Sequence, residues 1–395
     1  MITTVLIDLD GTLLENKMET FVPAYLNLLA THLSEIAPPE RIFQELLAGT
    51  RAMLENNDPT LTLHNVFAGH FYPNLGYTEP ELQARLEKFY QDVFPGLRAL
   101  TRPADGARPL VEKALAMGLE IVIATSPLFP LTAIEQRLDW AGLSVRDYPF
   151  ALITSYERLH FSKPNVAYFA EVLGRLGRTP EQAVMIGNDP KADLEPASAL
   201  GIQVFHVGSH ALNGSAGGDL GQALKWLESN PKPESAPAPQ PPEVILARMR
   251  AHLAALTELA RNLSDAGWRA RPGPASWAPV EIVCHMRDVE REVNGPRYHS
   301  LLSESGAFVP AADPDRWAAE RGYLGQDGGR ALGDFCRARL ENVRLLLSTS
   351  EEIWNRPALH AIFGPTNLAE LVSFAADHDL LHLDQLRQAL SNAED

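Results

Sequence analysis

The chain of 395 residues is 45% apolar and 21% charged, ordinary for a globular protein but long for a single hydrophobic core, so two domains are expected. Its formal charge of −16 argues against a general nucleic-acid role, which calls for clustered Lys and Arg, and no run of about eighteen apolar residues offers a membrane span. Cys284 and Cys336 give no disulfide framework and read as small core residues; with no secretory leader in MITTVLIDLDG, a cytoplasmic protein is expected.

The first element is the strand-like run VLIDLDGTLL, residues 5–14. A buried strand that ends in Asp8 delivers a carboxylate to the edge where open α/β sheets hold their ligands. Asp10 follows two residues on, and Gly11 and Thr12 let the chain turn away. Two neighbouring carboxylates repel, and a hard divalent cation between them relieves that repulsion. Residues 18 to about 95 carry helical patterns such as FVPAYLNLLATHLSEI, too long for a simple crossover, and read as a helical cap over the sheet.

Further buried runs follow at LEIVIAT (119–125), ALITS (151–155), AVMIGN (183–188) and IQVFHV (202–207), alternating with amphipathic helices. That alternation predicts a doubly wound α/β fold with a parallel sheet. Chemistry-bearing residues close several runs: Thr125 in VIATSP, Lys163 in FSKPN, and Asp189 and Asp193 in MIGNDPKAD. A hydroxyl, a point cation and two further carboxylates beside Asp8 are what phosphoryl transfer with a metal requires.

GSAGGD (214–219) reads as a flexible break, and SNPKPESAPAPQPPE (229–243), with six prolines, as a linker that forms neither helix nor strand. Four amphipathic stretches then follow, beginning at VILARMRAHL, PVEIVCHMRD, ALGDFCRARL and NLAELVSFAA, with no strand expected among them. They predict an all-α four-helix bundle. The expected domains are therefore 1–228, with a core at 1–17 and 96–228 and a cap at 18–95, and 244–395. In the bundle, His378 and His382 stand at i and i+4 on one helix face, and His285 lies on another helix. Three imidazoles with positions left open suit a divalent transition metal such as Zn²⁺ or Ni²⁺. His252, His299 and His360 read as core histidines, and Asp288, three residues past His285, as either its outer partner or an exposed charge.

The DxDGT, Thr, Lys-Pro and GNDxxxD blocks, in order over residues 1 to about 208, resemble the haloacid dehalogenase-like hydrolases, in particular phosphatases with a helical cap, phosphoglycolate phosphatase among them. The resemblance implies Asp8 as the nucleophile that becomes an aspartyl-phosphate, Asp10 as acid and base, and Thr125 and Lys163 as stabilisers. It further implies Mg²⁺ held by Asp8, the Asp10 carbonyl and Asp189, with Asp193 second. Relatives often read Gly-Asp where this chain has Gly187-Asn188-Asp189. SWAPVEIVCH (276–285) and HDLLHLDQL (378–386) resemble the DinB-like (YfiT-like) helical bundles, which implies His285, His378 and His382 as metal ligands. Together these readings predict a Mg²⁺-dependent phosphatase acting on a small phosphorylated metabolite, with no nucleic-acid or membrane partner. The alternatives are a main activity in the bundle, as a metal-dependent thiol transferase, or a bundle that serves only for interaction, for instance as a homodimer.

Overall fold

In a computed structural model, residues 1–208, 216–229, 239–273, 276–314 and 316–391 are described. Packing divides the chain into two units, Met1–Phe169 with Pro180–Ala236, and Ala170–Thr179 with Pro237–Asp395.

The first unit is built on β1 (Thr4–Ile7), β2 (Leu14–Asn16), β3 (Thr101–Pro103), β4 (Glu120–Ile123), β5 (Leu152–Ile153), β6 (Ala183–Gly187), β7 (Gln203–Val207) and β8 (Ala216–Gly218). Six of these form one parallel sheet in the order β5-β4-β1-β6-β7-β8, and β2 and β3 pair separately as an antiparallel ribbon. β1 is internal, flanked by β4 with Ile7 opposite Ile123 and by β6 with Ile7 opposite Ile186. Its four residues are buried on both faces, so the run is continuously apolar instead of alternating. The doubly wound fold is thus as expected, and the register sets Asp8 beside the ends of β4 and β6.

Between β2 and β3 the chain forms four helices, Met18–His32, Pro39–Glu55, Leu63–Leu75 and Glu79–Lys88. They cover the carboxyl edge: Leu63 and His64 donate their amides to the carbonyls of Leu159 and Tyr156, which follow β5. Aromatic packing joins cap to core, with Tyr25 5.0 Å from Phe129 and Phe94 stacked 5.4 Å from Trp140.

Three local expectations change. ALITS narrows to a two-residue edge strand. Ala216–Gly218, part of the supposed flexible break, instead extends the sheet as β8 beside β7, while 214–215 lie outside the described residues. Of the 229–243 linker, residues 230–238 lie outside the described residues, and Pro242 already opens a helix, where its missing N–H costs nothing.

The second unit contains Pro242–Leu259, Pro279–Val289, Gly328–Leu347 and Leu368–Ser391 as its long helices. The first and second of these each pack against the third and fourth. The pairs 242–259 with 279–289, and 328–347 with 368–391, therefore lie across diagonals, and the seam between 279–289 and 368–391 brings the predicted histidines together. Against expectation, this unit has strands: β9 (Phe308–Val309), β10 (Ala358–His360) and β11 (Gly364–Thr366) form a small mixed sheet. Two- and three-residue strands are too short to show a period in the sequence. A buried ion network ties three helical segments together. Arg339 donates to Glu290 from Nε and Nη2, both at 2.9 Å, and to Asp379 from Nη1 and Nη2 at 2.5 and 2.9 Å. Among the described residues no helix is long and apolar enough to cross a membrane.

Candidate functional site

Asp8 extends the hydrogen-bonded edge of β1, its amide donating to the Ile186 carbonyl at 3.0 Å, and it is 7% exposed. Its Oδ1 accepts from Lys163 Nζ at 3.0 Å and its Oδ2 from Thr12 Oγ1 at 3.1 Å. Lys163 also donates to Asp193 Oδ1 at 2.5 Å, so one buried ammonium bridges two buried carboxylates. Burial alone would lower Lys163, but Asp193 and Asp8 hold its proton well above the usual lysine range. Burial pushes Asp8 up to about 7; Lys163 pulls it down, and the nearby Asp193 and Asp10 push it further up. The pocket holds more negative charge than its lysine offsets.

Two glycines make the approach of these groups geometrically possible. Gly11 has φ +85°, and a Cβ there would fall 2.6 Å from Asn188 Nδ2. At Gly187 a Cβ would collide with the Asp193 carboxylate. Asn188 Oδ1 in turn accepts from Thr12 Oγ1 at 3.2 Å.

Asp10 is held on both oxygens. Asn16 Nδ2 donates to Oδ1 at 3.0 Å, and Arg137 Nη1 to Oδ2 at 2.5 Å. Thr125 is buried, with its Oγ1 3.5 Å from the same Oδ2. Its backbone is fixed by Thr154 Oγ1 and Tyr168 OH, which donate to its carbonyl at 2.9 and 3.0 Å. Direct hydrogen bonds thus join Asp8, Lys163 and Asp193 in one group and Asp10 and Thr125 in another, and the two groups are close enough for the Asp10 charge to raise Asp8. Asp189 is turned otherwise: it is exposed, and its Oδ1 caps the next turn by accepting from the Lys191 and Ala192 amides. The side chain of this loop that faces Thr12 and Gly11 is Asn188. Sequence reasoning assigned no role to Arg137, Asn16 or Asn188; only Asn188, in the block where Gly-Asp is usual, carried a visible signal.

In the second unit, His285 Nε2 lies 3.3 Å from His378 Nε2, which lies 3.1 Å from His382 Nε2. All three ring nitrogens fall within 4.8 Å of one another. His382 Nδ1 is 2.8 Å from Gln385 Oε1; because a carbonyl oxygen only accepts, Nδ1 carries the proton and Nε2 offers its lone pair to the cluster. Burial lowers His285 to about 3, with His382 and His378 adding to the effect. Burial and then Arg339 lower His378 to about 4. Trp277 packs against the trio, 4.9 Å from His285 and parallel to His382 at 6.0 Å. A cleft of about 830 Å³ opens on His378 and His382, lined also by Trp277, Leu381, Gln385 and Gln388.

Asp288 is not turned to His285: its oxygens accept from Arg287, Arg321 and Tyr323 at 2.7 Å each, and it is buried. His252 and His360 are buried, as expected of packing residues, but His299, expected in the core, is exposed, with its Nδ1 2.9 Å from the Gly295 carbonyl one turn back on its own helix. Burial lifts the Cys284 thiol to about 11, which suits a packing residue and not a nucleophile.

Residues 248–386 match the DinB superfamily. Among curated proteins, the ribulose-1,5-bisphosphate 5-phosphatase of Halopiger xanaduensis is 32% identical over 97 residues, 25% of this chain; the alignment spans 38% of that relative's length. Among solved structures, a HAD phosphatase from Thermococcus onnurineus is 19% identical and covers 58% of this chain and 97% of its own, with a TM-score of 0.38. YfiT from Bacillus subtilis, a four-helix bundle of unusual topology, is 15% identical over 41% of this chain and 91% of its own, with a TM-score of 0.37. Residues 2–201, just over half of the 395, match the haloacid dehalogenase-like hydrolase family, and the chain belongs to it.

Proposed function

We propose that residues 1–228 act as a Mg²⁺-dependent phosphatase on a small phosphorylated metabolite through an aspartyl-phosphate. The observation that carries this reading is the buried Asp8 at the end of an internal strand, bonded to Lys163 and Thr12 with Asp193 behind the lysine. In the first step an Asp8 oxygen forms a bond to phosphorus as the ester P–O bond breaks, and Asp10 gives its proton to the departing oxygen. In the second, water attacks phosphorus, its proton passes to Asp10, and the P–O bond to Asp8 breaks, restoring both carboxyl groups. Lys163 and Thr125 offset charge on the phosphoryl oxygens.

The donor set suits a hard divalent ion. The Asp8 carboxylate and the Asn188 amide oxygen, which both accept from Thr12, would hold it beside an excess of negative charge, together with the Asp10 carbonyl and Asp189 that the family resemblance implies. Mg²⁺ bound there supplies positive charge against the carboxylates and the phosphoryl group. Asp8→Asn in the full chain is expected to reduce phosphate release from p-nitrophenyl phosphate to background while circular dichroism stays unchanged. Undiminished turnover would remove the mechanism.

The geometry of the histidine trio favours a second reading for residues 244–395, beyond the 229–243 linker: a divalent transition-metal site. Nitrogens bound tetrahedrally at about 2.0–2.1 Å lie roughly 3.3 Å apart, close to the 3.1 and 3.3 Å separations in the trio. The open cleft at its mouth supports chemistry on a small molecule, such as thiol transfer to an electrophile, over a purely structural role. Purified full-length protein is expected to carry about one equivalent of Zn²⁺ or Ni²⁺, and His378→Ala to lose it. Equal metal content in both proteins would rule the trio out.

A further inference from the structure

Arg137 sits on the helix Leu131–Trp140, which follows Thr125 in the chain, and its side chain is fully buried. Its planar guanidinium has five N–H donors. Nε donates to the Ala133 carbonyl at 3.3 Å and Nη1 to Asp10 Oδ2 at 2.5 Å. Its Cζ lies 4.3 Å from the Phe129 ring centre and 5.9 Å from that of Phe21. Nη2 is buried and has no partner in the protein. A cationic donor left unspent against aromatic walls is costly, because the low dielectric that strengthens an interaction also magnifies the loss of one. Across the same carboxylate, Asn16 gives its Nδ2 to Asp10 Oδ1 while its own Oδ1 is buried without a partner. Asp10 is therefore flanked by one unspent charged donor and one unspent acceptor. Neither holds the nucleophile, whose oxygens are met by Lys163 and Thr12.

We propose that Arg137 is a specificity-determining residue of the phosphate-ester site: Nη2 receives an anionic oxygen, from a carboxylate or a second phosphate, carried by the leaving group of the substrate. The inference rests on the phosphatase reading and adds the substrate class to it. Asp10 meets the ester oxygen and Nη2 belongs to the guanidinium bonded to Asp10, so the anionic group is separated from that oxygen by only a short spacer. Asn16 Oδ1 stands ready for a hydroxyl on the same fragment. A planar fork can hold Asp10 with one nitrogen and substrate with the next; an ammonium cannot match that geometry.

The test compares kcat/KM of the full-length protein with Mg²⁺ on paired esters that differ only in the second anion. One pair is phosphoglycolate and 2-hydroxyethyl phosphate; the other is propane-1,3-diol bisphosphate and propyl phosphate. The wild type is expected to favour the anionic member of at least one pair by about 10- to 100-fold, the range of a charge-assisted hydrogen bond, and the favoured pair separates carboxylate from phosphate recognition. In Arg137→Lys and Arg137→Met that ratio is expected to fall toward one, with the loss carried mainly by KM for the anionic member. The ratio cancels any general loss of activity, and the wild-type value decides even where a variant does not fold. A wild-type ratio near one on both pairs, or ratios unchanged in both variants, overturns the inference and leaves the phosphatase reading standing. Absence of hydrolysis of every ester by the wild type overturns both.

Discussion

Replacing Asp8 by Asn is expected to make the metal-free protein more stable at neutral to alkaline pH while removing the carboxylate proposed above as nucleophile. Asn keeps the shape of Asp8 and removes only the charge, and Lys163 retains Asp193 at 2.5 Å as a partner. The sign follows from burial, which raises folded Asp8 from 3.8 to about 7, with Asp193 and Asp10 adding to the effect and Lys163 opposing it. Between those values the folded state binds more protons than the unfolded one, so this residue's contribution to stability is complete below about pH 4 and is lost as pH rises through 7. At about 1.4 kcal/mol per pH unit the full cost approaches about 4 kcal/mol, and about 2 to 3 kcal/mol of it develops between about pH 5 and pH 8. The assay is urea unfolding of both proteins in EDTA at those two pH values, followed by near-ultraviolet dichroism. The advantage of Asp8→Asn should widen by that amount at the higher pH, and added Mg²⁺ should stabilise the wild type more than the variant. An Asp8→Asn protein less stable than wild type at pH 8 in EDTA would refute the charge argument.

Arg339→Met leaves Glu290 and Asp379 buried without their cation and should cost about 3 to 5 kcal/mol in urea unfolding of the bundle, most of it regained when Glu290→Gln and Asp379→Asn are added. A loss under about 1 kcal/mol would mean that water reaches the network. Burial and their neighbours hold His285 at about 3 and His378 at about 4, against 6.5 for a free imidazole. Both are therefore neutral at pH 7 and need shed no proton to bind a metal. Their folded values lie below the unfolded one, so the stability they confer is whole above about pH 6.5 and fades as pH falls through 4 and 3. Metal-free bundle should accordingly lose urea resistance between about pH 6 and 4, and His378→Ala should lose less; equal slopes would contradict this.

The long elements were legible because their signals are redundant. β1 and β6 are buried on both faces and read as unbroken apolar runs, and the bundle helices repeat their apolar positions over several turns. Asp8 was legible because it closes such a run, whereas Lys163, in a turn ten residues past β5, was legible only from the FSKPN block around it. Asp189 was not, since spacing along a loop does not reveal that one carboxylate turns outward to cap a helix while the neighbouring Asn188 turns in. Arg137 lay hidden for another reason: an arginine at the seventh position of the ten-residue helix Leu131–Trp140 reads as surface, and only its bond to Asp10, 127 residues away in sequence, shows it to be interior. Asp288 shows the converse, a charge whose partners Arg321 and Tyr323 come from an irregular segment with no period to read.

The strand that ends at Asp8 pairs with residues far along the chain, Thr4 lying opposite both Glu120 and Ala183. While the ribosome is still making the protein, this sticky ribbon must wait for more than half of a domain to emerge before either of its edges is protected. Shortened fragments that keep β1 but stop before β6 should therefore clump or occupy chaperones instead of remaining as harmless partial products.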